Sequence, residues 1–93
     1  GVEPTVRLSP DHLWGAWITG ADGGTAPDVE GGALGVTVQK PDQPESRFTM
    51  PVPPGVEVAP IAFWDSPTVV VLNGPTGARC DIVKRTCRIV EQP

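Results

Sequence analysis

Hydrophobic positions along this chain come in short runs separated by proline and glycine, and the runs are rich in Val, Ile and Thr. That composition favours strands, and the spacing of the prolines breaks almost every window in which a helix could grow. The first predicted strand is Thr5 to Ser9, followed by a Ser9-Pro10-Asp11-His12 turn in which Pro10 sets one φ angle and Asp11 bonds the nearby backbone. The second is Leu13 to Thr19. A long Gly- and Asp-rich loop covers Gly20 to Gly32, and the third strand is Ala33 to Gln39. Lys40 to Glu45 reads as a turn and Ser46 to Val52 as the fourth strand.

The order then repeats. Pro53-Pro54-Gly55 is a stiff linker, and Val58 to Trp64 is a strand whose first half Pro60 confines to an edge. Asp65-Ser66-Pro67 is a turn, Thr68 to Leu72 a strand, Asn73 to Gly77 a loop, and Ala78 to Val83 and Thr86 to Val90 a closing hairpin. The expected fold is all-β: two tandem four-stranded antiparallel sheets, with residues 1–52 forming the first unit and 53–93 the second. A repeat of roughly 45 residues with four strands per unit is the period of a propeller blade. Val69-Val70-Val71-Leu72 and Leu13-Trp14-Gly15-Ala16-Trp17-Ile18 are apolar on successive residues, so both faces of their strands call for cover. On this reading Trp14 and Trp17 belong to the core, on opposite faces. A small β-sandwich is the alternative architecture, and it would show a cleaner apolar and polar alternation.

Composition narrows the function. Twelve prolines and eleven glycines in 93 residues leave a thin core. The net charge of −4 disfavours nucleic acid as a partner. Arg79, Lys84, Arg85 and Arg88 gather near the end and read as a solvated face. No apolar stretch approaches the ~20 residues of a membrane span. Cys80 and Cys87 lack the spacing of a zinc or redox motif, and His12 is the only histidine. A disulfide or two buried thiols remain. The disulfide is the expectation, and it places the protein in an oxidising setting, secreted or at a cell surface. A two-residue turn at Lys84-Arg85 would pair Ile82 with Cys87 and set the cysteines diagonally on one face of the hairpin.

Two segments, Phe63-Trp64-Asp65-Ser66-Pro67-Thr68-Val69-Val70-Val71-Leu72 and Arg79-Cys80-Asp81-Ile82-Val83-Lys84-Arg85-Thr86-Cys87-Arg88, resemble a blade of secreted WD40-like β-propellers of actinobacteria. The Ser9-Pro10-Asp11-His12 turn resembles the one that opens such a blade. His12 stands where that family has glycine, and Lys84-Arg85 stand where it has Thr-Gly, so a side chain falls at positions that call for positive φ. Two blades do not close a ring, since propellers use about four to eight. The resemblance therefore implies a homo-oligomer of about two to four copies or a part in a larger ring.

No catalytic constellation stands out. Ser9, Ser46 and Ser66 lie beside turns and outside any nucleophile-elbow motif. The expected function is a non-catalytic binding or interaction module without cofactor or metal, binding another protein, its own copies or a glycan. The alternative is a secreted β-sandwich acting as an inhibitor or carbohydrate-binding module. Candidate ligand-binding residues are Trp64, Asn73, Asp22, Asp28 and Glu30, and the resemblance points to three loops, Gly20 to Gly32, Pro51 to Glu57 and Asn73 to Gly77.

Overall fold

The computed structural model describes residues 6–20, 34–58 and 61–91. These form eight strands and, among the described residues, no helix: β1 (Arg7–Leu8), β2 (Gly15–Gly20), β3 (Leu34–Lys40), β4 (Gln43–Pro51), β5 (Ala62–Ser66), β6 (Val69–Leu72), β7 (Thr76–Asp81) and β8 (Thr86–Glu91). They make two four-stranded antiparallel meanders, β1-β2-β3-β4 and β5-β6-β7-β8. The all-β expectation holds, and its strands appear in the expected order.

Several boundaries moved, each for a local reason. β4 starts at Gln43 rather than Ser46, because Pro41-Asp42 alone turn the chain and Lys40 pairs with Gln43. Pro44 and Pro51 are tolerated there because β4 is an edge strand. β5 runs from Ala62 to Ser66, not from Val58 to Trp64. A bulge between Trp64 and Ser66 absorbs the residues expected to turn, leaving Pro67-Thr68 as the link. In the last hairpin the loop spans Ile82 to Arg85, longer than the expected two-residue turn. The Asp81 carboxylate accepts the N–H groups of Val83 (2.9 Å) and Lys84 (3.1 Å) and so ends β7. The register is therefore Asp81 to Thr86 and Cys80 to Cys87. The cysteines are directly opposite, not diagonal, and form the expected disulfide with a Cα–Cα distance of 4.0 Å.

Among the described residues, three turns hold non-glycine residues at positive φ: His12 (61°), Asp42 (61°) and Arg85 (58°). His12 and Arg85 are two of the positions at which the sequence places a side chain where positive φ is expected. Each sits in the left-handed region that disfavours a Cβ.

One core lies between the two sheets. It is built from Ala16, Ile18, Val36, Val38, Met50 and Val52 of the first half and Ala62, Val70, Leu72, Ala78, Cys80 and Ile82 of the second. β1 and β2 lie against β5, and β4 lies against β8. The indole Nε1–H of Trp64 donates to the carbonyl oxygen of Arg7 at 2.8 Å, and the Arg85 guanidinium lies 4.2 Å from the Phe48 ring centroid. First strand thus meets first strand, and last meets last.

The hydrogen-bond phase shows which faces meet. In the first sheet Val52 N–H bonds Leu34 O, so the in-register pairs Val36–Met50 and Val38–Phe48 on the core face are hydrogen-bonded pairs. In the second sheet Ile82 N–H bonds Thr68 O, which makes Val70–Cys80 a hydrogen-bonded pair and leaves Cys80–Cys87, also on the core face, a non-hydrogen-bonded one. A residue's N–H and C=O point to the same side of an L-strand for a given side-chain face, so phase and face are locked together. Between third and fourth strands the core face carries opposite phases in the two sheets. Opposite faces of one four-strand plan are therefore in contact. The second sheet is the first one's plan carried along the stacking direction, not turned over onto it.

Candidate functional site

That arrangement leaves one outer face on each sheet, and most of the described chemistry lies there. On the first sheet's outer face Val6 and Leu8 fold over Gly15, where a Cβ would come within 2.9 Å of Val6 Cγ1. Both are about half exposed, at 51% each. Beside them, Trp17, Thr37 and Thr49 form one cross-strand row. The hydroxyls of Thr19, Thr37 and Thr49 link in a chain at 2.7 Å per step. Arg47 donates from Nε to Gln39 Oε1 at 2.7 Å and sets its guanidinium 5.3 Å from the Trp17 ring centroid. The Arg47–Trp17 pair spans β3 from β4 to β2, directly above Thr37, which is buried although it lies on an outer face.

This corrects the placement of Trp17. It is half-buried on the outer face and takes no part in the core, whereas Trp14 packs on the core face edge-on to Phe48 with ring centroids 5.8 Å apart.

The second sheet's outer face carries a shallow depression of about 350 Å³. Phe63, Val71 and Val90 supply its apolar wall, Gly77 lines it where a Cβ would come within 2.6 Å of Leu72 O, and the Asp65–Arg79 ion pair closes one side at 2.5 Å. Phe63 is 41% exposed. Asn73 and Trp64, two of the predicted ligand residues, border this depression. The Trp64 side chain is turned toward the core, in one row with Val70 and Cys80, so it is not a free platform. Asp22, Asp28, Glu30 and the loop that holds them lie outside the described residues. The other two predicted loops are brought together: Glu57 pairs with Thr76, its N–H bonding Thr76 O at 2.9 Å, and Gly74 packs against the Glu57 backbone so closely that a side chain there would not fit.

The serines and the histidine serve the turns. Buried Ser9 donates from Oγ to Asp11 Oδ1 at 2.5 Å and accepts the Trp14 N–H at 3.1 Å. Ser46 Oγ donates to Gln43 O and accepts the Lys40 N–H, and Ser66 Oγ accepts the Thr68 N–H. The hydrogen bond from Ser9, with help from the Leu13 N–H, holds the Asp11 carboxyl below the ordinary aspartate range. His12 is exposed at the same turn. Among the described residues no three His, Cys, Asp or Glu side chains cluster as metal ligands, and no helix is long and apolar enough to cross a membrane.

Sequence reasoning missed the Trp17–Arg47 pair, the threonine chain and the Asp65–Arg79 pair. The alternation of Thr19 with Ile18, of Thr37 with Val36 and Val38, and of Thr49 with Met50 was the available signal for a polar outer face. No family model, curated protein or solved structure matches this chain.

Proposed function

We propose that this chain is a non-catalytic interaction module of propeller type, working in an oxidising, extracellular or cell-surface setting. The observation that carries the reading is the stacking of opposite faces, first strand on first strand. It is the relation between neighbouring blades, and it leaves a face to be covered at each end of the stack. The Cys80–Cys87 disulfide supports the oxidising setting. The turn roles of Ser9, Ser46 and Ser66 support a role without catalysis, because each hydroxyl is held by its own turn.

Light scattering at micromolar chain concentration tests the reading. Assembly into about two to four copies is expected from the ring sizes that blades close. A cooperatively folded monomer at every concentration would overturn it, as would a hydrolase activity abolished by His12→Ala.

Trp17 on an outer face favours a second reading, a glycan platform, since a half-exposed aromatic ring beside hydroxyls and a guanidinium suits a sugar face. Quenching of tryptophan fluorescence by an oligosaccharide, lost in Trp17→Phe, is the expected sign. A glycan array with no binder would dismiss it.

A further inference from the structure

Resting on the propeller-type reading, we infer that the partner of the two outer faces is a second copy of this chain. The outer face of β5–β8 in one copy receives the outer face of β1–β4 in the next, first strand over first strand. The interface inside each chain supplies the template. It joins the hydrogen-bonded-pair face of one four-strand plan to the opposite face of the other. The outer face of β5–β8 is the same side of the plan as the core face of β1–β4, and the outer face of β1–β4 matches the core face of β5–β8. A copy placed one step along the stack therefore repeats the relation already present within the chain. Such a contact is heterologous, so it continues until a rotation closes it.

The side chains agree with that placement. On the first strand of each sheet stand exposed apolar residues on the outer face: Leu8 (51%) with Val6 (51%) beside it at one end of the stack, and Phe63 (41%), whose ring centroid the Arg7 guanidinium of the same chain approaches to 5.7 Å, at the other. In the repeated stack Leu8 of one copy lies over Phe63 of the next. On the second strands Trp17 lies over Val71, which borders the depression. Trp and Arg are the residue types that most often dominate interfaces, and Trp17 and Arg47 are already paired on this face.

Cysteine cross-linking distinguishes the arrangement. Leu8→Cys and Phe63→Cys chains are purified separately, checked for folding by circular dichroism, mixed and oxidised, and the disulfide species are identified by intact mass. Head-to-tail stacking predicts mixed L8C–F63C dimers exceeding either homodimer by at least about tenfold, because a heterologous contact never brings two identical faces together. If L8C fails to fold, Val6→Cys on the same face replaces it. Homodimers in place of mixed dimers overturn the inference. If light scattering also finds the wild-type chain assembled, the propeller-type reading survives and only the face assignment falls. A monomeric wild type without cross-links overturns both.

Discussion

Replacing Met50 with alanine tests where the core lies. Met50 is fully buried on β4, pairs with Val36 and has its carbonyl oxygen 4.0 Å from Cys87 Sγ, so its side chain stands at the junction of the sheets. The substitution removes three heavy atoms, worth about 0.8 kcal/mol each in transfer free energy, or about 2.4 kcal/mol. The unfilled space adds to this, and buried Met→Ala changes fall at about 2–5 kcal/mol. For a domain of 93 residues each kcal/mol lowers Tm by about 4–8 °C, so a drop of about 10–20 °C is expected. Thermal unfolding followed by circular dichroism, at equal chain concentration for both proteins, measures it. Val83→Ala is the internal control. Val83 is 74% exposed in the β7–β8 loop, outside the core and outside the two outer faces, and its truncation is expected to cost much less than Met50→Ala. If Met50→Ala melts within about 3 °C of wild type, the face that closes the core has been misidentified.

His12→Gly relieves a left-handed backbone and, after the entropy that glycine adds to the unfolded chain, stabilises by about 0.5–1 kcal/mol; an unchanged or lower Tm would contradict the turn geometry. Asp11 has its folded pKa depressed, so its contribution is fully present above the unfolded aspartate pKa and is lost as pH falls through the lower folded value. The β1–β2 turn should therefore hold at neutral pH and loosen only below the ordinary aspartate range. NMR shifts of Leu13 and Trp14 amides follow this, and Asp11→Asn should remove the acid transition. Reducing Cys80–Cys87 reopens a loop of about eight residues and costs about 2–3 kcal/mol; intact mass should show the native chain lighter by two hydrogens, and two thiols alkylating without reductant would refute the bond.

Strand order was legible because Val/Ile/Thr runs between prolines leave little else for the backbone to do. The ends of strands were not, because they depend on side-chain-to-backbone bonds that periodicity does not encode. Asp81 ends β7 two residues before Val83 by capping two amides, and that moves Cys80 opposite Cys87. A bulge likewise keeps Asp65 and Ser66 in β5. Trp17 was misplaced because a tryptophan amid apolar neighbours reads as core, while its face is decided by parity with Ala16 and Ile18 and by a partner, Arg47, two strands away. Phe63, Val71 and Asn73 border one depression only after the second sheet has formed, so the site was visible in the chain only in fragments.

The central claim is that the two sheets stack with opposite faces in contact, like strand over like strand. Proton–proton NOEs measured on the isotopically labelled chain test it most directly. The account predicts contacts between Arg7 and the Trp64 indole and between Phe48 and Arg85, joining β1 to β5 and β4 to the β7–β8 loop. Contacts from β1 to β8 and from β4 to β5 would contradict the stacking of like strand over like strand, and the account would be wrong.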